Sequence, residues 1–291
     1  VTIDLVVAGK LSIDELSFEG SASTTVLGGS AAHVSLAAAT VGSSVALVST
    51  VGDDFPSEYL QMLRSKGIDL SGVVQRKGPS SHFWADFGND GTMRSYRLHF
   101  GVGNLLSLRH YTRLTKKAKA VHLGILPPYL QRRLIKQVYE TGKNLSMTTI
   151  FHQAQILRDK ILPQLAYLDM LFLNEREAMF LADVKDVTRA IKQLGGILPL
   201  VIVTLGHKGC MINQQGTIQH VSSYPVKKVD STGAGDSFAG AFLANFLKHK
   251  DVITAAKWGN AAGALNVQKI GSIRLAEATY QDLNNLIQNN L

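Results

Sequence analysis

Short β-branched runs alternate with segments of helical spacing along most of this chain, and that alternation restricts the fold more than any other feature. "DLVVAG" (Asp4 to Gly9), "SSVALVSTVG" (Ser43 to Gly52), "KAVHLGIL" (Lys119 to Leu126), "LDMLFLN" (Leu168 to Asn174) and "LPLVIVTLG" (Leu198 to Gly206) are nearly continuous apolar runs. Such runs mark strands buried on both faces. Between them, "GSAAHVSLAAATVG" (Gly29 to Gly42), "PSEYLQMLRSKG" (Pro56 to Gly67), "PPYLQRRLIKQVYETG" (Pro127 to Gly142) and "VKDVTRAIKQLG" (Val184 to Gly195) have helical spacing and begin or end near Gly, Pro or capping residues. The pattern predicts an α/β fold: a central, mostly parallel sheet covered by helices on both faces. Ligands of such sheets bind beyond the carboxyl ends of the strands, so the polar residues that follow these runs are the first candidates for a site.

Two stretches break the alternation. "KLSIDELSFEGSASTTVL" (Lys10 to Leu27) and "SHFWADFGNDGTMRSYRLHFG" (Ser81 to Gly101) read as hairpins, the second turning at "GNDG". They suggest a small sheet standing over one edge of the main one, a β lid formed by about residues 10–27 and 76–101. There are no internal repeats, low-complexity tracts or linkers, so residues 1–291 read as a single domain. Hydrophobic residues at 45% and charged ones at 18% suit a sizeable globular core. A single cysteine, Cys210, excludes an intrachain disulfide framework and a cysteine zinc cluster, and it fits a cytoplasmic location. The opening "VTIDLVVAGKLSIDEL" reads as a strand rather than a signal peptide, and no run approaches the roughly 18 apolar residues of a membrane span. The net charge of +8 comes from scattered residues. Its densest run, "LTKKAKA" (Leu114 to Ala120), reads as the solvated face of a helix, and no stretch interleaves arginines with aromatics as a base-stacking surface does. Neither nucleic acid nor membrane is therefore an expected partner, whereas a basic field draws nucleotides and phosphorylated compounds.

Neither G-x-x-x-x-G-K-[ST] nor a G-x-G-x-x-G after a strand is present. "DSTGAGDSF" (Asp230 to Phe238) is the richest candidate. It leads into a helix whose core face carries Phe238, Phe242 and Phe246. Glycines at a helix entrance permit close backbone approach, and the unpaired N–H groups there suit an anion. The plainer reading is a helix start capped by Asp230 or Thr232, with Asp236 favouring the dipole. In "LNEREAMFL", Asn174 and Glu177 share a helix face and suit the waters of a Mg²⁺ ion, or form a capping box. "VTLGHKG" (Val203 to Gly209) ends a strand in a Thr and glycines, a ligand approach or a plain turn. "LGGSAAH" (Leu27 to His33) offers a glycine pair entering a helix, and Asp14 lies in the first hairpin, where an isolated Asp is usually a surface or turn residue.

Taken in order, "GKLSID", "GGSAAHVSLAAATVG", "VGDDF", "NERE", "VTLGHKG", "DSTGAGDSF" and "GNAAGAL" resemble the ribokinase (PfkB) family of carbohydrate kinases, from about residue 5 to about residue 275. The resemblance implies a ribokinase-like three-layer sandwich with a small β lid, and an ATP-dependent kinase that phosphorylates a hydroxyl, usually a hydroxymethyl, of a sugar or nucleoside. It implies Asp236 as catalytic base and the backbone of Gly233, Ala234, Gly235 and Asp236 as an anion hole. Asn174 and Glu177 would position Mg²⁺. Thr204, Gly206 and Gly209 would line the nucleotide, Asn260 the adenine pocket, and Asp14, Gly28 and Gly29 would face the acceptor. Activation by a monovalent cation occurs in the family. Where members generally carry an acceptor-binding Asn, this chain has His33; where many have a strand-end Asp, "LSMTTIFHQ" offers Thr148.

Both departures concern the acceptor. A neutral His33 offers one donor and one acceptor, a protonated one would favour a carboxylate or phosphate, and a packed one would touch nothing. A sugar kinase is the first reading and a nucleoside kinase the second, with Phe83, Trp84, Phe87 and Tyr96 either stacking on a base or forming the lid's hydrophobic side or a dimer contact. A non-catalytic sugar- or nucleotide-binding regulator is the reading from another class, and the retained Asp236, Asn174 and Glu177 argue against it. Exposed lid edges make a homodimer through the lid an expectation as well.

Overall fold

A computed structural model describes residues 2–88, 93–149 and 151–290, with side chains described outside 151–157. Among these, the main sheet has nine strands in the order β13-β12-β11-β10-β9-β8-β1-β4-β5. They are β1 (Ile3–Ala8), β4 (Val45–Val51), β5 (Asp69–Gln75), β8 (Ala118–Leu123), β9 (Asn144–Thr148), β10 (Met170–Asn174), β11 (Leu200–Thr204), β12 (Cys210–Gln214) and β13 (Thr217–Val221). The pairs from β11 to β5 are parallel, while β12 and β13 continue the sheet antiparallel.

Each buried strand divides its side chains between two cores because successive residues point to opposite faces. Leu5 and Val7 of β1, Met170 and Phe172 of β10, and Ile202 of β11 enter one core. Helices α1 (Ser30–Thr40), α2 (Ser57–Ser65), α8 (Ala234–His249), α9 (Val252–Asn266) and α11 (Tyr280–Gln288) cover it. Val6, Ala8, Leu171, Leu173, Val201 and Val203 enter the other. That core is covered by α3 (Leu108–Thr115), α4 (Pro128–Tyr139), α5 (Phe151–Leu165), α6 (Glu175–Ala182) and α7 (Val187–Gly195). This is the three-layer sandwich that the resemblance implies. One close approach matters for the site: a Cβ at Gly240 of α8 would lie 2.2 Å from the Val34 carbonyl oxygen, so glycine lets α8 lie directly on α1.

The four-stranded second sheet runs β3-β2-β6-β7, from β2 (Ser12–Phe18), β3 (Thr24–Gly28), β6 (Ser81–Phe87) and β7 (Met93–His99). β2–β3 and β6–β7 are the two expected hairpins, joined by a parallel β2–β6 pair. Of the expected turn "GNDG", residues 89–91 lie outside the described residues. Leu16, Val26, Ala85 and Phe87 make the small core of this sheet, with Phe18 stacked on Phe87 at 4.9 Å between centroids.

One sequence expectation fails here. "LTKKAKA" is not a helix face: α3 ends at Thr115 and β8 begins at Ala118, so Lys116 and Lys117 lie in the connection between them and Lys119 lies in the strand. Among the described residues, no helix is long and apolar enough to cross a membrane.

Candidate active site

A cavity of about 510 Å³ lies between the carboxyl ends of the parallel strands and the second sheet. The strands present Thr148, Asn174 and Thr204 to it, and the second sheet presents Asp14 and Phe83. The segment from Ser231 to Asp236 forms a further part of its wall, and this is where glycines and a carboxylate coincide.

That segment is held from below. Asp230 is buried, and its Oδ1 accepts hydrogen bonds from the Thr232 amide (2.9 Å) and hydroxyl (2.8 Å) while Oδ2 accepts from the Gly271 amide (2.8 Å). Neither Asp230 nor Thr232 caps α8, contrary to the plainer reading of this motif. The cap position is Gly233, in the left-handed region at φ 72°, without a side-chain cap bond. The first turn of a helix leaves its amides without intrahelical acceptors, so those of Gly235 and Asp236 are available to an anion. A Cβ at Gly235 would meet nothing within 4 Å, so that side of the turn stands open. Asp236 follows in the same turn with its carboxyl lining the cavity, and burial pushes it up to about 7.

On the opposite wall, Asp14 is not the surface residue its isolation in sequence suggests. It is buried in β2 and accepts a hydrogen bond from the Ser12 hydroxyl at 2.5 Å. Burial raises it to about 7, with the Asp230 charge adding to the rise and the Ser12 bond opposing it. A Cβ at Gly28 would lie 1.9 Å from the Asp14 carboxyl, so Gly28 makes room for Asp14 rather than lining the cavity itself. Gly29, at φ 92°, does line it and packs its Cα on the Lys10 carbonyl.

His33 also lines the cavity, yet it is buried, with its ring directly beneath Gly233. A Cβ on that glycine would fall 2.3 Å from three ring atoms. Nδ1 lies 3.0 Å from Asn266 Oδ1, and Asn266 Nδ2 donates to the Thr232 carbonyl at 2.7 Å. The amide oxygen of Asn266 is therefore the acceptor, so His33 carries its proton on Nδ1 and leaves Nε2 without a partner among the described residues. Burial lowers its pKa to about 4, against the Asn266 bond and the Asp230 charge. The charged form considered from sequence is thus not the one this environment supports.

Asn174 and Glu177 form the capping box of α6, and both line the cavity. Asn174 Oδ1 accepts from the Glu177 amide (2.9 Å), while Glu177 accepts from the Asn174 amide (3.0 Å) and Nδ2 (2.7 Å). Among the described residues, no cluster of three or more His, Cys, Asp or Glu side chains suits an all-protein metal site. A carboxylate beside an amide does suit a Mg²⁺ ion that keeps its waters and binds mainly through phosphates. Thr204 and Gly206 line the cavity beside this pair. Gly209 and Asn260 do not. Gly209 packs on the Val221 carbonyl, and Asn260 is buried with its Nδ2 donating to the carbonyls of Val221 (3.1 Å) and Ser222 (3.0 Å). Both shape the strand and loop beyond β12 and do not open onto the cavity.

Of Phe83, Trp84, Phe87 and Tyr96, Phe83 alone lines the cavity. Phe87 is in the lid core, Trp84 lies under Arg97 (4.1 Å to the ring centroid), and Tyr96 is 49% exposed. Two residues of the site escape sequence reading. Asn266 ties His33 to the Thr232 carbonyl, and Lys10 lines the cavity beneath the lid.

The family model described as "pfkB family carbohydrate kinase" matches residues 1–279. The chain is similar to a cytidine kinase of Thermococcus kodakarensis, 32% identical over 264 residues, covering 88% of this chain and 93% of the relative. Among solved structures, an adenosine kinase from Sinorhizobium meliloti superposes with a TM-score of 0.86 at 20% identity, covering 97% of this chain and 99% of that one. A fructokinase double mutant from Vibrio cholerae, with fructose, ADP and potassium ion bound, superposes with a TM-score of 0.83 at 22% identity, covering 98% and 99%.

Proposed function

We propose, because the chain belongs to the pfkB family of carbohydrate kinases, that Asp236 is the base with which it moves the γ-phosphoryl group of ATP to the hydroxymethyl of its acceptor. The protein is a kinase of the family's sugar and nucleoside class and uses ATP and a small-molecule acceptor. The observation that carries the base assignment is the position of Asp236: a carboxyl titrating near 7, in the turn whose free amides face the same cavity.

In this reading the acceptor hydroxyl oxygen attacks the γ-phosphorus while Asp236 takes its proton. The bond from that phosphorus to the bridging oxygen breaks, and ADP leaves. The amides of Gly235 and Asp236 donate to the transferring group, with Gly233 and Ala234 setting their direction. Such preorganised donors stabilise developing charge without rearranging, and phosphoryl transfer rests mainly on this kind of positioning. A base with a pKa near the working pH combines ionisation with proton affinity. Mg²⁺, when bound, neutralises phosphate charge, and Asn174 and Glu177 would hold its waters. Thr204 and Gly206 line the nucleotide side, with Gly209 and Asn260 shaping it from behind. Asp14 and Gly29 meet the acceptor, and Gly28 seats Asp14. His33 sits under the anion turn and supports Gly233 from beneath.

The second sheet acts as a lid over the acceptor. Among the described residues its strand β7 is an exposed edge, paired only with β6, which supports a homodimer through the lid. A monovalent cation is a further expected activator, supported by the potassium in the fructokinase neighbour. ATP as donor supports a cytoplasmic location. The direct test is Asp236→Asn: turnover falls by about 10²–10⁴-fold while ATP affinity is retained. Near-normal turnover would remove Asp236 from its role.

A further inference from the structure

Lys10 is the one ammonium that lines the cavity among the described residues, and the transfer chemistry does not use it. It follows β1 directly, its carbonyl accepts the Ala31 amide at the start of α1, and its side chain runs past Gly103 to the lid. Lys10 is 5% exposed, and its Nζ lies 3.3 Å from the centroid of the Phe100 ring. Among the described residues no carboxylate pairs with it. A ring face compensates only part of what a buried ammonium loses on leaving water. Burial accordingly lowers its pKa to about 7, with no neighbouring charge contributing. A strong donor is therefore held in the acceptor cavity without a protein acceptor among the described residues.

Beside the polar Ser12, Asp14, Ser81, His82 and His99, the second sheet and its continuation supply an apolar part of the wall. Phe83, Met93, Leu98 and Phe100 come from the lid strands and their continuation. A sugar's hydroxyls each need a polar partner, and these four side chains supply none. A heteroaromatic ring has the opposite demand, apolar faces and a polar edge.

We propose that Lys10, seated on Phe100, is an acceptor-specificity residue whose ammonium donates to a ring carbonyl oxygen, so that the acceptor is a nucleoside whose base carries such a carbonyl. This deepens the kinase reading and rests on it. Lys10 positions the acceptor and takes no part in proton or phosphoryl movement.

Lys10→Met keeps an apolar stem against Phe100 and removes the donor. Wild type and variant are assayed for ADP formation with cytidine, uridine, adenosine (which has no ring carbonyl), ribose, fructose and gluconate. The wild type should use cytidine or uridine with a kcat/KM at least about tenfold above adenosine, and Lys10→Met should lower that value by about 10- to 100-fold. The loss should fall mainly on the acceptor KM, with adenosine and the ATP KM almost unchanged and partial recovery in Lys10→Arg. A uniform loss for every acceptor would make Lys10 a brace for the lid and overturn the proposal. So would an unchanged cytidine-to-adenosine ratio, or a preference for gluconate that depends on Lys10. A preference for ribose or fructose also overturns it while leaving the kinase reading intact, whereas ATP binding without transfer to any acceptor class counts against the kinase reading itself. Should Lys10→Met fail to fold in a thermal melt, calorimetric binding to the wild type decides: cytidine tighter than adenosine supports the subsite, and equal affinities refute it.

Discussion

Asp236→Asn should stabilise the protein in a pH-dependent way, because the carboxyl proposed as base is held where its charge is unwelcome. Burial moves it from the ordinary 3.8 to about 7. The unfolded chain ionises this carboxyl above about 4, whereas the folded chain does so only above about 7. The stability that the neutral carboxyl provides is therefore full at low pH, lost across that window, and absent above it. The gap corresponds to about 4 kcal/mol at most. Asp236 is only half-buried, and screening by solvent lowers this to roughly 2 kcal/mol. The α8 dipole already favours an anion in the first turn, but such an effect is worth only about 0.3–1 kcal/mol at a surface helix and does not reverse the sign. Asn cannot ionise, so the variant should match the wild type near pH 4 and exceed it near pH 8 by about 2 kcal/mol, or about 4–8 °C in Tm. Asp14 and Lys10 also titrate near 7, but both are present in either protein and cancel in the difference. Thermal melts of both proteins at the two pH values, without nucleotide, measure it. An equal shift at both pH values, or a destabilised variant near pH 8, would refute the reasoning.

Glu177→Gln should raise the Mg²⁺ concentration for half-maximal rate severalfold. A loss of about 1 kcal/mol with unchanged Mg²⁺ dependence would leave Glu177 a capping residue only. Gly233→Ala combines an unfavourable φ with overlap on the His33 ring, so it should cost about 1–3 kcal/mol and at least tenfold in turnover. His33→Ala in the same chain should recover part of the stability, and no recovery would dismiss the contact as the cause. Amide hydrogen exchange in Ser12–Phe18, Thr24–Gly28, Ser81–Phe87 and Met93–His99 should slow when a saturating acceptor binds; equal exchange would mean that the second sheet does not close.

The central strands were legible because burial on both faces writes an uninterrupted apolar run, as in "LVIVT" of β11. β5 was not. Its "DLSGVVQ" carries Gly72, where a Cβ would lie 2.5 Å from the Leu47 carbonyl oxygen, so a packing constraint erased the strand signal. Helix α9 is buried almost all round and has no polar face to reveal a period. In the site, Asp236 and the Asn174–Glu177 pair sit in local motifs whose spacing can be read within one turn. The His33–Asn266 bond joins residues 233 positions apart, and its effect on protonation exists only once both are buried. Lys10 reads as an ordinary hairpin residue until the lid brings Phe100 over it. Asn260 shows the converse: a motif position that the fold turns away from the cavity, toward two carbonyls.

The most direct measurement is the identity of the product. Incubated with Mg²⁺, ATP and a panel of nucleosides and sugars, the protein should release ADP and a phosphorylated acceptor in equal amounts. Phosphorus NMR and mass spectrometry should place the new phosphate on a hydroxymethyl oxygen, and Asp236→Asn should lose that product. ADP accompanied only by inorganic phosphate, or a phosphorylated acceptor formed equally well by Asp236→Asn, would contradict the account.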